Sequence, residues 1–135
     1  MAHNSSSNSY AYQAYRILQL VFIIAPILAG LDKFIYVLTD WTQYIAPQAA
    51  AAVQGKVKLF FYVVGIIEII VGIGMIFKPK VFSYIVAVWL LFIIINLVLT
   101  GMYFDIALRD LGLLLSAIAL GRLSHAYDVP NRRTV

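Results

Sequence analysis

The chain contains no cysteine. That excludes disulfide exchange, a thiolate nucleophile, iron–sulfur ligation and cysteine zinc sites as activities of this polypeptide alone. Histidine is nearly as scarce: His3 and His125 are the only two, and both lie near the ends of the chain, outside every apolar stretch. A haem or metal centre in a helical bundle takes its ligands from facing helices, so no such site is predicted. Charge is the third deficit. Only 12% of the 135 residues are charged, where an ordinary soluble domain carries about 25%.

What fills the chain instead is hydrocarbon. Hydrophobic residues make up 63% of it, and the mean hydropathy is +0.91. So few charges cannot cover a water-exposed surface, and the surplus of apolar side chains calls for a lipid solvent. The length suits one domain. The net charge of +4 is basic, but three of the ten Lys and Arg residues fall in the last fourteen positions. That distribution reads as a membrane-orientation signal, and no nucleic-acid partner is predicted. Residues 1–15 are polar, rich in Ser and Asn, and lack a basic run before the first apolar stretch, so they read as a polar N-terminal tail and not a cleaved signal. Residues 124–135 read as a C-terminal cytoplasmic tail.

A spanning helix needs about 20 mostly apolar residues. Four segments qualify, roughly 16–38, 57–77, 81–104 and 105–123. The predicted fold is all-α: a polytopic membrane protein, a four-transmembrane-helix bundle with a longer surface segment between helices one and two. Lys78-Pro79-Lys80 predicts a tight turn, because proline cannot continue the preceding helix. Asp105 is a candidate N-cap for the fourth helix. In the link between helices one and two, Trp41 and Tyr44 favour the headgroup layer and are placed to anchor there or to roof a cavity. The N-terminus, the Lys78–Lys80 turn and the C-terminus share one face with six cations, against four on the other. The positive-inside rule then puts both termini in the cytoplasm, most simply across a bacterial inner membrane.

Five ionisable residues fall within or at the edge of these spans: Asp32, Lys33, Glu68, Arg109 and Asp110. Each ionised group in hydrocarbon costs at least about 2.5 kcal/mol, so something must compensate it. By depth, all five could meet in the half of the bundle away from the termini. Gly65, Glu68 and Gly72 share a stripe on helix two, and Arg109, Gly112, Ser116 and Ala119 share one on helix four. Stripes of small residues let helices approach closely, and both are expected to face inward. Asn96 and Thr100 are the polar residues that helix three adds. Trp89 on the same helix reads as packing or lipid contact, and His125 as a solvated residue. Two cations and three anions form either a paired network that fixes helix order and register, or a ligand-binding site in which one carboxylate, Glu68 first, stays partly unpaired.

Three short motifs carry a family resemblance. The run Ala29-Gly30-Leu31-Asp32-Lys33-Phe34 closing helix one, the Gly65–Glu68–Gly72 pattern on helix two, and Leu108-Arg109-Asp110-Leu111 opening helix four resemble signatures of DoxX-like membrane proteins. The resemblance covers residues 16–123 and implies a four-helix membrane fold. It also implies company with redox enzymes, since the family takes its name from a subunit linked to quinone-dependent thiosulfate oxidation. The leading functional expectation is therefore a non-catalytic accessory subunit of a membrane redox or respiratory electron-transfer complex, with membrane lipids and other membrane subunits as partners. The alternatives are a small quinone- or lipid-binding protein, with Glu68 and Arg109 holding a polar head, a quinone-linked oxidoreductase component, and a proton or solute carrier. No covalent or metal-held cofactor is expected; a quinone or lipid is the remaining candidate.

Overall fold

The computed structural model describes residues 2–127, with side chains from Ser9 onward. The side chain of His3 and the tail arginines Arg132 and Arg133 lie outside these. The described chain is helical throughout: α1 (Ala2–Ile35), a single 3-10 turn (Trp41–Tyr44), a short α2 (Pro47–Ala52), α3 (Val57–Phe77), α4 (Pro79–Thr100) and α5 (Phe104–Tyr127). Three segments are long and apolar enough to cross a membrane: Ser9–Ile35, Val57–Phe77 and Pro79–Thr100. The fourth expected span, α5, is as long, but it carries Asp105, Arg109, Asp110 and Arg122 among its 24 residues.

Local chemistry sets the ends of these helices. The α1 helix stops where Tyr36 takes a left-handed conformation (φ 54°). There Asp32 Oδ1 accepts the backbone N–H groups of Val37 and Leu38, at 2.8 and 2.9 Å. Between α3 and α4 only Lys78 is non-helical, and Pro79 occupies the first helical position, where its missing N–H costs nothing. At the end of α4, Gly101 sits at φ 72°, the left-handed stop that glycine adopts without strain. Two boundaries differ from the sequence reading. The α4 helix ends at Thr100, so Phe104 opens α5 and Asp105 lies in its first turn instead of capping it. At the other end α1 continues through the polar residues before Arg16 without a break. Tyr15 is buried there, and its ring meets those of Tyr12 and Tyr127.

The four long helices run alternately up and down and pack in a ring, α1–α3–α4–α5. The α1–α3 and α4–α5 contacts are the close ones; α3–α4 and α1–α5 touch less. Glycine makes the close contacts. A Cβ built on Gly30 would sit 2.5 Å from the Gly65 carbonyl oxygen, and one on Gly65 would sit 2.7 Å from that of Gly30. The two backbones therefore cross with no room for a side chain. On the other pair, Gly121 lies against the side chains of Tyr84 and Ser83. Towards the Lys78 turn the ring is filled by Tyr15, Phe22, Met75, Val86, Ala87, Leu90, Ala117 and Leu120. At that end Gln19 also donates to the Met75 carbonyl, at 3.1 Å. Towards the other end the two helix pairs part.

Candidate functional site

Where the pairs part, a cavity of about 770 Å³ opens between all four long helices. Its deep half is apolar, walled by Phe22, Ala25, Val71, Val86, Leu90 and Leu113. The half nearer the α1–α2 link holds nearly every polar group: Lys33, Glu68, Trp89, Asn96, Arg109 and Asp110. Trp41, Tyr44, Ile45 and Ala49 from the link form a roof over it. Ile67 and Phe92 line the cavity yet are also exposed on the outer surface. Val21 on α1 and Leu38 in the link line it and are exposed too, so the cavity reaches the outer surface on more than one side.

The five ionisable residues divide into three units. Lys33 Nζ is 2.7 Å from Glu68 Oε2, with both side chains almost fully buried. The same ammonium lies 3.8 Å from the centre of the Trp41 ring, a cation–π contact. The Trp89 indole lies beside the Glu68 carboxylate as a second donor. Asp32, one position from Lys33, points elsewhere. Besides its two backbone donors, its Oδ2 accepts the Trp41 indole N–H at 2.8 Å. It ties the roof to α1 and does not line the cavity. Arg109 and Asp110 form the third unit, where Nε and Nη2 both reach Oδ1 at 3.3 Å. The Arg109 side chain is 68% exposed and that of Asp110 only 7%. The expected meeting of all five is thereby corrected. Four line one cavity as two separate pairs, while Asp32, about 100° round α1 from Lys33, reaches different neighbours.

Asn96 is the second fastener of the roof. Its Nδ2 donates to the Tyr44 carbonyl at 2.6 Å, and its Oδ1 accepts the Ala46 N–H at 2.8 Å. A polar side chain in an apolar helix thus satisfies the backbone of a segment that has no regular partner there. In the turn before the roof, Asp40 accepts from the backbone N–H and the hydroxyl of Thr42. Those bonds hold its carboxyl below the usual carboxylate range, so this cap persists at neutral pH and loosens as the pH falls through that lowered value.

Two inward expectations turn out differently. The Gly65–Glu68–Gly72 stripe faces α1, as the spacing suggests. On α5, Gly112 and Ala119 are exposed, and a Cβ on Gly112 would meet nothing within 4 Å. Ala117, Leu120 and Gly121 take the inward face instead. Trp89 was the residue whose part the sequence reading missed. Its indole N–H is buried beside the Glu68 carboxylate, the acceptor within its reach. A tryptophan on a nearly pure hydrocarbon helix gave no signal of this. His125 is exposed, as expected, and its Nε2 lies 3.3 Å from the Tyr84 hydroxyl. Among the described residues, no three His, Asp or Glu side chains converge as a metal-ligand set.

Comparisons with protein-family models, curated proteins and solved structures find no match.

Proposed function

We propose that this chain is an integral membrane protein whose four long helices all cross the bilayer, and that it binds a membrane-dissolved amphiphile, a quinone or a lipid, in the interhelical cavity. The observation that carries this reading is the division of the cavity: an apolar depth, and a polar half beneath a roof at the bundle end. An amphiphile in one leaflet has the same arrangement, head at the interface and chain towards the bilayer centre. The volume falls within the range of about 300–1,000 Å³ typical of small-molecule sites. The DoxX-like motifs favour the same fold, with α5 as the fourth span, its Asp110 paired by Arg109. The cation count favours cytoplasmic termini in a bacterial inner membrane.

The test is to purify the protein in mild detergent, extract it with organic solvent and identify what co-purified by mass spectrometry. About one apolar molecule per chain is expected, and Ala29→Phe, which fills part of the cavity, should lose it. Retention of the molecule in that variant, or in Glu68→Gln, would count against the site. The outward small-residue face of α5 favours a second reading, assembly as a subunit of a membrane redox complex. Comigration with a cytochrome- or flavin-bearing complex on a native gel would support it, and migration alone would remove it.

A further inference from the structure

Of the four ionisable residues that line the cavity, three are buried and committed. Lys33 Nζ lies 2.7 Å from Glu68 Oε2 and 3.8 Å from the centre of the Trp41 ring. The Glu68 carboxylate holds that ammonium and has the Trp89 indole beside it. The Asp110 side chain is only 7% exposed and faces the Arg109 guanidinium. Asp32, just outside the lining, accepts from three donors. A cationic head would therefore find each nearby carboxylate already held, and Lys33 has no freedom to leave Glu68 without stranding a buried charge.

Arg109 differs from all of these. It lines the cavity, yet its side chain is 68% exposed, so it stands where the polar half opens outward. Its hold on Asp110 is loose. Nε and Nη2 both reach the same oxygen, Oδ1, at 3.3 Å, where a tight charge-assisted bond measures about 2.7–2.9 Å. A guanidinium carries five N–H donors in a flat fork that matches the oxygens of a carboxylate or phosphate. The contacts with Asp110 leave Nη1 without a partner among the described residues. Resting on the reading of the cavity as an amphiphile site, we infer that the ligand has an anionic head, a carboxylate or a phosphate, held by the free edge of the Arg109 guanidinium. Its chain runs into the apolar half at Phe22, Val71 and Leu113. Arg109 then bridges two anions, the buried Asp110 behind it and the head in front. A neutral quinone head would leave that edge to water, so the arrangement favours a fatty acid or an anionic lipid.

The chain has two tryptophans, Trp41 and Trp89, and both line the cavity. Bromine on an alkyl chain quenches indole fluorescence on contact, which gives a direct binding signal for the purified protein in a nonionic detergent. Two probes share one chain and differ in the head: 11-bromoundecanoate and 11-bromoundecanol. At about pH 8, where the carboxylic acid is ionised, the anion is expected to saturate at lower concentration than the alcohol. In Arg109→Gln that advantage should fall by about tenfold, the worth of a hydrogen bond to a charged group. The ratio of the two probes within each variant removes any general change in the cavity. Displacement of the bound anion by decanoate or by dodecyl phosphate supports the inference, and their order separates a fatty-acid head from a phospholipid one. Alcohol binding as well as the anion, or an unchanged preference in Arg109→Gln, would overturn the inference about the head and leave the cavity as an amphiphile site. Quenching that never saturates with either probe, or displacement by acetate as effective as by decanoate, would overturn both.

Discussion

Glu68 sets one carboxylate oxygen 2.7 Å from Lys33 Nζ, with the Trp89 indole beside the carboxylate, in a wall that is otherwise mostly apolar. Removing either member of the pair strands a buried charge, which costs about 3–5 kcal/mol. Lys33→Met and Glu68→Leu should therefore each lower the thermal midpoint strongly in detergent. The double variant should recover most of the loss, since two apolar side chains replace the pair. Additive losses in that double-mutant cycle would mean that the two residues do not act together. Arg109→Ala should change stability by less than about 1 kcal/mol, because a side chain so exposed gains little from its pair. The positions of these charges were legible because ionised groups in spans are rare. Their pairing was not. Asp32 and Lys33 are adjacent in the chain, and only the arrival of Trp41 from the link and of Glu68 from α3 separates their roles.

At the scale of the element, identical spacing on two helices led to opposite faces. Gly65 and Gly72 lie against α1, while Gly112 lies open. Gly65→Ala should destabilise the α1–α3 pair by about 1–3 kcal/mol, the cost of forcing a methyl into a packed contact. Gly112→Ala should instead stabilise the protein by about 0.5–1 kcal/mol, since alanine is the better helix former and nothing obstructs it. Unfolding in mixed micelles compares the two, and a loss of similar size in both would contradict the faces assigned here. Helix existence and approximate extent followed from apolar run length, most closely for Val57–Phe77. Which face of a uniformly apolar helix turns inward did not follow, because in lipid both faces are hydrophobic and small side chains mark contacts without naming the partner. Asn96 illustrates the same limit. Its position was noticeable in an apolar helix, but its bonds go to a backbone segment fifty residues away. Asn96→Leu should free the Tyr44 carbonyl and the Ala46 N–H, and faster hydrogen exchange at Ala46 is the expected consequence.

For the whole molecule, the alternation of α1, α3, α4 and α5 makes topology the decisive question, and α5 is the helix on which it turns. If all four cross, the roof and the α4–α5 link share one side of the membrane, and the Lys78 turn and the end of α5 share the other. The charges of α5 argue in both directions. Arg109 and Asp110 are costly in hydrocarbon, yet they lie within two turns of Phe104, near the interface, and Asp110 is turned into the bundle. The absence of cysteine makes the chain its own background for single-cysteine labelling. Gln43→Cys in the roof and Met102→Cys in the α4–α5 link should react with a membrane-impermeant maleimide from one side. Lys80→Cys and His125→Cys should react only from the other, or after permeabilisation. Labelling of His125→Cys from the same side as Met102→Cys would show that α5 does not cross. The cavity would then be walled by three spans and a surface helix, and its polar half would be open to water instead of to the headgroup layer.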